Sequence, residues 1–180
     1  TRLKDVISIL SDVPPLNAEW MALCRFAAGY YQRSFGEVAL PSIPKKIRTN
    51  REKALERAWN ALEKPDMHAA CECPVKPQLH SAQQQAVDAI VRSDGFSPYV
   101  LYGVTGSGKT EIYLHAIEAL LRQKTDAQAL VMVPEINLTP QLEKSVRDRF
   151  PQERIVTLHS RLTETERLRN WLAVLAGKAR

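Results

Sequence analysis

The run Gly103-Val104-Thr105-Gly106-Ser107-Gly108-Lys109-Thr110 constrains this chain more than any other stretch. It matches the phosphate-binding loop pattern G-x-x-x-x-G-K-[ST] at every fixed position. The spacing follows from chemistry. Triphosphate oxygens need many donors at close range, and only bare backbone wraps around them. Gly103, Gly106 and Gly108 remove the Cβ atoms that would block the approach and permit positive φ. The N–H groups of the loop, Thr105 and Ser107 included, then line an anion-binding concavity at a helix start. Lys109 is placed to reach the β- and γ-phosphates, and the Thr110 hydroxyl to sit on Mg²⁺. These two are the candidate catalytic residues.

The flanks fit a strand, loop and helix arrangement. Tyr99 to Tyr102 is a short β-prone run after Pro98. An amphipathic stretch from about Lys109 to Arg122 follows, with Ile112, Ala116 and Ala119 in one stripe and Tyr113, Ile117 and Leu120 beside it. Ala129 to Val133 reads as a strand buried on both faces, and Ile155 to Leu158 as a third strand. Thr139-Pro140 opens a helix carrying Leu142, Val146 and Phe150. Thr163 to Glu166 is a capping box leading into Leu168, Trp171, Leu172 and Leu175, with Gly177 as the stop. Alternating β and α after a phosphate loop predict an α/β fold: part of a RecA-like P-loop lobe with a parallel sheet.

The first half of the chain is helical in pattern. Leu3, Val6, Ile7 and Leu10 have helical spacing. Asn17 caps a second helix, flanked by Leu16 and Met21, whose stripe is Trp20, Leu23, Cys24, Ala27 and Tyr31 with Tyr30 alongside. Ser34 to Glu37 is a capping box running into Val38, Leu40 and Pro41. Such helices suit either a winged-helix-related unit or a plain packing layer. Pro41 to Asn50 is linker-like and basic, with Lys45, Lys46 and Arg48 as candidate DNA-phosphate contacts. Glu52 to Lys64 is a helix with Leu55, Trp59 and Leu62 on one side. Pro65 to Pro77 has no period and marks a boundary. The expected segments are therefore 1–50, 51–77 and 78–180.

Gln83 follows a cap at Ser81, in a helix reaching about Arg92. An amide there suits adenine, because it both donates and accepts. The carboxylate in Val131-Met132-Val133-Pro134-Glu135 resembles a Mg²⁺-binding acidic box, but it comes one strand after the loop with proline intervening. That segment instead reads as DNA-facing, with Thr139 at a helix N-terminus on a strand phosphate.

Composition narrows the class. Among 180 residues, 44% are hydrophobic and 25% charged, which is globular. The net charge of +5 suits a polyanion partner. The three cysteines, Cys24, Cys71 and Cys73, make neither a disulfide framework nor a four-ligand zinc set, even with His68 and His80 near. No apolar run approaches the ~18 residues of a membrane helix, and no secretory leader is recognisable. A reduced, cytoplasmic protein is expected.

Four blocks in order resemble the primosomal replication protein N′ (PriA) family of bacterial replication-restart helicases. They are Leu79 to Ile90, with Gln83 at the glutamine position; Gly103 to Tyr113; Val133 to Gln141; and Leu158 to Leu162 with Glu166, Arg167 and Trp171. Tyr30 to Pro41 is similar to the family's approach to its winged helix. The resemblance implies a superfamily-2, ATP- and Mg²⁺-dependent 3′-to-5′ DNA helicase of bacterial cytoplasm. It would act on forked and single-stranded DNA, with primosome proteins and single-strand binding protein as partners. Pro41 to Leu79 is short for a full winged helix. The family's acidic box, zinc-binding cysteines and second lobe are expected beyond Arg180, so the chain reads as a fragment. The rival classes are an unrelated P-loop enzyme, such as a small-molecule kinase, and a DNA-binding module with a non-catalytic nucleotide pocket.

Overall fold

The computed structural model describes residues 13–49, 52–63, 76–134 and 139–180. The expected helix at Leu3 to Leu10 and the residues His68, Cys71 and Cys73 lie outside them. The chain forms two compact units, residues 1–64 with 160–176 and residues 65–159 with 177–180.

The first unit holds α1 (Ala18–Tyr30), α2 (Phe35–Ser42), α3 (Lys45–Arg48), α4 (Glu52–Glu63) and α8 (Glu164–Leu175). Its helix starts are written in the sequence. Asn17 Oδ1 accepts from Trp20 N–H at 2.8 Å. Ser34 with Glu37, and Thr163 with Glu166, close reciprocal capping boxes that satisfy otherwise orphaned N–H groups. The Ser34 hydrogen bonds, first the backbone one and then the side-chain one, hold the Glu37 carboxyl below its ordinary range. Gly177, at φ +66°, follows the last turn of α8.

Packing departs from the expected stripes. On α1 the buried residues are Cys24 and Ala28, while Leu23, Phe26, Tyr30 and Tyr31 face solvent. Small side chains let α1 approach α2 closely, which turns the bulky ones outward. The linker-like stretch contains the short helix α3. Helix α8, expected with the nucleotide-binding lobe, packs on α4 and α3. Its Leu168 and Leu172 are fully buried, 0% exposed. An amphipathic helix covers its stripe with whatever apolar surface is available, and here α4 offers Ala58 and Leu62.

The second unit holds α5 (Ser81–Val91), α6 (Lys109–Gln123) and α7 (Thr139–Arg149). The cap of α5 is His80, not Ser81: its Nδ1 accepts from Gln83 N–H at 3.3 Å. Helix α6 packs on α5 and has no exposed residue from Glu111 to Leu121. Leu114, outside the expected stripe, is 2% exposed. A single-stripe reading assumes one covered face, and α6 is covered all round.

The expected parallel sheet is not seen among the described residues, which include no strand. Tyr99 to Tyr102, Ala129 to Val133 and Ile155 to Leu158 are extended without a ladder, and Val100, Tyr102 and Met132 are 95%, 97% and 84% exposed. An apolar run is a property of one segment, whereas a strand also needs partners on its edges. Two backbone bonds tie the start of the second run and the residue before the third to Arg180. Ala129 N–H donates to Arg180 C=O at 2.9 Å, and Arg180 N–H donates to Arg154 C=O at 3.2 Å. The Arg180 guanidinium also binds the carbonyls of Leu121 and Lys124 and pairs with Glu153. No helix among the described residues is long and apolar enough to cross a membrane.

Candidate nucleotide site and basic surface

Gly103, Thr105, Gly106, Ser107, Gly108, Lys109 and Thr110 form one loop running into α6, and Gln83 of α5 meets it. Gly106 and Gly108 have φ of +80° and +78°, so the chain turns through conformations that side-chain-bearing residues resist. A Cβ on Gly103 would stand 2.7 Å from Ser107 Oγ. The loop is a cradle of bare backbone at the start of a fifteen-residue helix, and it fits a phosphate chain. Lys109 Nζ donates to the carbonyls of Gly103 and Val104, each at 2.7 Å. The ammonium thus holds the loop closed across its mouth. Thr110 is exposed at the first turn of α6, and Thr105 is exposed on the loop.

Gln83 has a role the sequence did not suggest. Its Nε2 donates to Ser107 C=O at 3.1 Å, and its Oε1 accepts from His80 N–H at 3.0 Å. It braces the phosphate loop against the start of α5. The visible signal was the box pairing His80 with Gln83, hidden because histidine is an unusual cap.

The basic candidates lie in the other unit. Lys45 is exposed on α3. Lys46 donates to Thr165 Oγ1, and Arg48 Nε to Ile43 C=O at 3.1 Å, so part of the hydrogen-bonding capacity of both is used within the unit. Thr139 opens α7. Sequence reasoning missed an exposed aromatic cluster on α1. Phe26 stacks on Tyr30 at 5.8 Å, and Tyr31 meets Tyr30 edge-on at 5.0 Å. Beside it runs an open groove of about 670 Å³ lined by Arg33, Ser34, Gly36, Glu37, Leu40 and Pro41. The sequence reading took Tyr30 and Tyr31 for core.

Behind the loop, α6 carries Glu111, His115 and Glu118 one or two turns apart. Arg149, the last residue of α7 and 7% exposed in its side chain, stands 3.5 Å from both carboxylates. Burial is the largest influence on Glu118 and pushes its carboxyl up, but Lys76, Arg122 and Arg149 together hold it below its ordinary value. Burial, then the Arg149 charge, push the His115 imidazole down against the pull of Glu111 and Glu118. Among the described residues no three His, Cys, Asp or Glu side chains gather as a metal site.

Comparison with known proteins gives the family. Residues 76–175 match the model of the Type III restriction enzyme, res subunit, and residues 1–44 that of a 3'DNA-binding domain (3'BD) of PriA. The replication restart protein PriA of Treponema pallidum is 31% identical over 170 residues, covering 93% of this chain and 24% of that protein. That of Rickettsia typhi is 31% identical over 180 residues, covering 98% and 25%. The chain belongs to the family of the Type III restriction enzyme res subunit, and within it to the PriA proteins. The PriA of Haemophilus influenzae is 46% identical over 101 residues, 56% of this chain and 13% of its own length. The chain therefore spans a quarter or less of these PriA relatives.

Proposed function

We propose that this chain is part of an ATP-dependent 3′-to-5′ DNA helicase that acts in replication restart at stalled forks in the bacterial cytoplasm. The observation that carries this reading is the Gly103–Thr110 loop at the start of α6, with two positive-φ glycines and Lys109 across its mouth. Nucleotide entry would exchange the Lys109 bonds to two neutral carbonyls for bonds to phosphate oxygens, in which both partners carry charge. Thr110 would ligate Mg²⁺, and Gln83 would brace the loop while reaching the adenine. Bound Mg-ATP supplies the phosphoanhydride and the cation that neutralises its charge.

In the longer protein we propose that residues 78–180 lie in the first RecA-like lobe, its parallel sheet built on the three apolar runs. Forked and single-stranded DNA would meet Lys45, Lys46, Arg48 and the Thr139 end of α7. Bases would stack on Phe26, Tyr30 and Tyr31, since aromatic faces accept any base. Primosome proteins and single-strand binding protein are the partners proposed from the PriA relatives.

The test is calorimetry of ADP binding to the 180-residue chain. Binding is expected for the wild type and a loss of tenfold or more for Lys109→Ala, about 1.4 kcal/mol or above, in a chain that still folds. Equal affinities would remove the pocket assignment.

A further inference from the structure

Helix α7 ends on a charge held between two opposite ones. Arg149 Nη1 stands 3.5 Å from Glu111 Oε2, and its Nε stands 3.5 Å from Glu118 Oε2. Charge-assisted bonds normally close to about 2.7–2.9 Å, so the contact with Glu111 is a long hydrogen bond and that with Glu118 an ion pair without one. Among the described residues, Nε and Nη2 of this buried guanidinium have no hydrogen-bond partner, and neither does His115 Nε2. Leaving such groups unsatisfied is costly. Closing on either carboxylate would satisfy some of them.

The two carboxylates report on different places. Glu111 directly follows Thr110 and its N–H donates to Gly108 C=O, so it moves with the phosphate loop. Glu118 lies about two turns further along α6 and is fixed by Lys76 and Arg122. Nucleotide entry would release Lys109 from the carbonyls of Gly103 and Val104, to which it is bonded here. Any shift of the first turn of α6 on that release changes the Glu111–Arg149 gap and leaves the Glu118–Arg149 gap alone.

We propose that Arg149 is a positioning residue that ties α7 to the nucleotide loop, closing on Glu111 in one loop state and on Glu118 in the other. The inference rests on the reading that the loop holds nucleotide and that the Thr139 end of α7 meets DNA. Arg149 touches neither ligand. It transmits between them because α7 carries Thr139 at one end and Arg149 at the other. Coupling of this kind is reciprocal: DNA must change nucleotide affinity by the factor with which nucleotide changes DNA affinity.

The experiment uses the full-length protein. Affinity for a fluorescent ADP is measured with and without saturating oligothymidylate, in the wild type, Arg149→Gln, Arg149→Lys and Glu111→Gln. The wild type is expected to show a coupling factor within about 5–150-fold. Arg149→Gln should bring the factor close to one while each ligand alone binds as before. Arg149→Lys keeps the charge without the planar fork and should retain part of it. A purely structural staple would behave differently: both single-ligand affinities and the melting temperature would drop with the factor intact. Glu111→Gln leaves the Glu118 pair in place, and it decides the matter if Arg149→Gln does not fold. An unchanged factor in whichever of these variants folds, or a wild-type factor of one, overturns the tie. Failure of the wild type to bind ADP or DNA at all would instead remove the function on which the tie rests.

Discussion

Gly108 meets two demands at once. Its φ is +78°, and a Cβ there would stand 2.3 Å from Gln83 Nε2. The first demand is local and fixed by the turn into α6. The second is tertiary, because Gln83 arrives from α5 to hold Ser107 C=O. Gly108→Ala should therefore cost about 1–3 kcal/mol from backbone strain alone, and it should also push the Gln83 amide off Ser107. Adding Gln83→Ala to Gly108→Ala should relieve the collision but not the strain, so the two changes should be non-additive. Urea denaturation and ADP titration of the single and double variants are the measurements. Strict additivity would mean that Gln83 does not brace the loop. The glycine was legible in the motif, whereas its contact with Gln83 was not, because nothing local links positions so far apart.

At the scale of elements, caps and stripes fared differently. Asn17, Ser34 and Thr163 cap as their sequences indicate, since a cap is a contact over three residues. Buried faces depended on neighbours: α1 hides Cys24 and Ala28 while its aromatics stay outside, and α6 is covered on every side. The meeting of α6 with α7 has a consequence in acid. The folded-state pKa of His115 lies below 6.5 and that of Glu118 below 4.5. In both cases the unfolded chain binds protons more readily than the folded one, so stability rises with pH. The His115 contribution is full above about pH 6.5 and is lost as pH falls through its lower folded value. The Glu118 contribution is full above about pH 4.5 and is lost below it in the same way. Thermal melting of the 180-residue chain should show a first decline beginning below pH 6.5, absent in His115→Asn, and a second beginning below pH 4.5, reduced in Glu118→Gln, with Glu37 contributing to what remains. A first decline that persists in His115→Asn would assign it to another group.

At the scale of the whole molecule, the net charge of +5 suits contact with a polyanion. Phosphate contacts release counterions, so the logarithm of affinity for single-stranded DNA should fall linearly with the logarithm of salt concentration. Lys45 is exposed, while Lys46 and Arg48 already bond within their unit. Lys45→Ala should therefore reduce the slope by about 0.7, the value for one contact to a single strand. Fluorescence anisotropy of a labelled strand at several salt concentrations reads this directly. An unchanged slope would exclude Lys45 from the contact.

What the sequence determined by itself was carried by neighbours in the chain: the phosphate loop and the caps at Asn17, Ser34 and Thr163. Each depends on a few consecutive residues whose conformations and hydrogen bonds are decided locally. Tertiary structure decided the rest. It set α8 on α4, brought Gln83 under the loop, put Arg149 between Glu111 and Glu118, and left three apolar runs without a ladder. These outcomes depend on which surfaces meet. Strand pairing depends on it most of all, because an extended run gains its hydrogen bonds only from another run beside it.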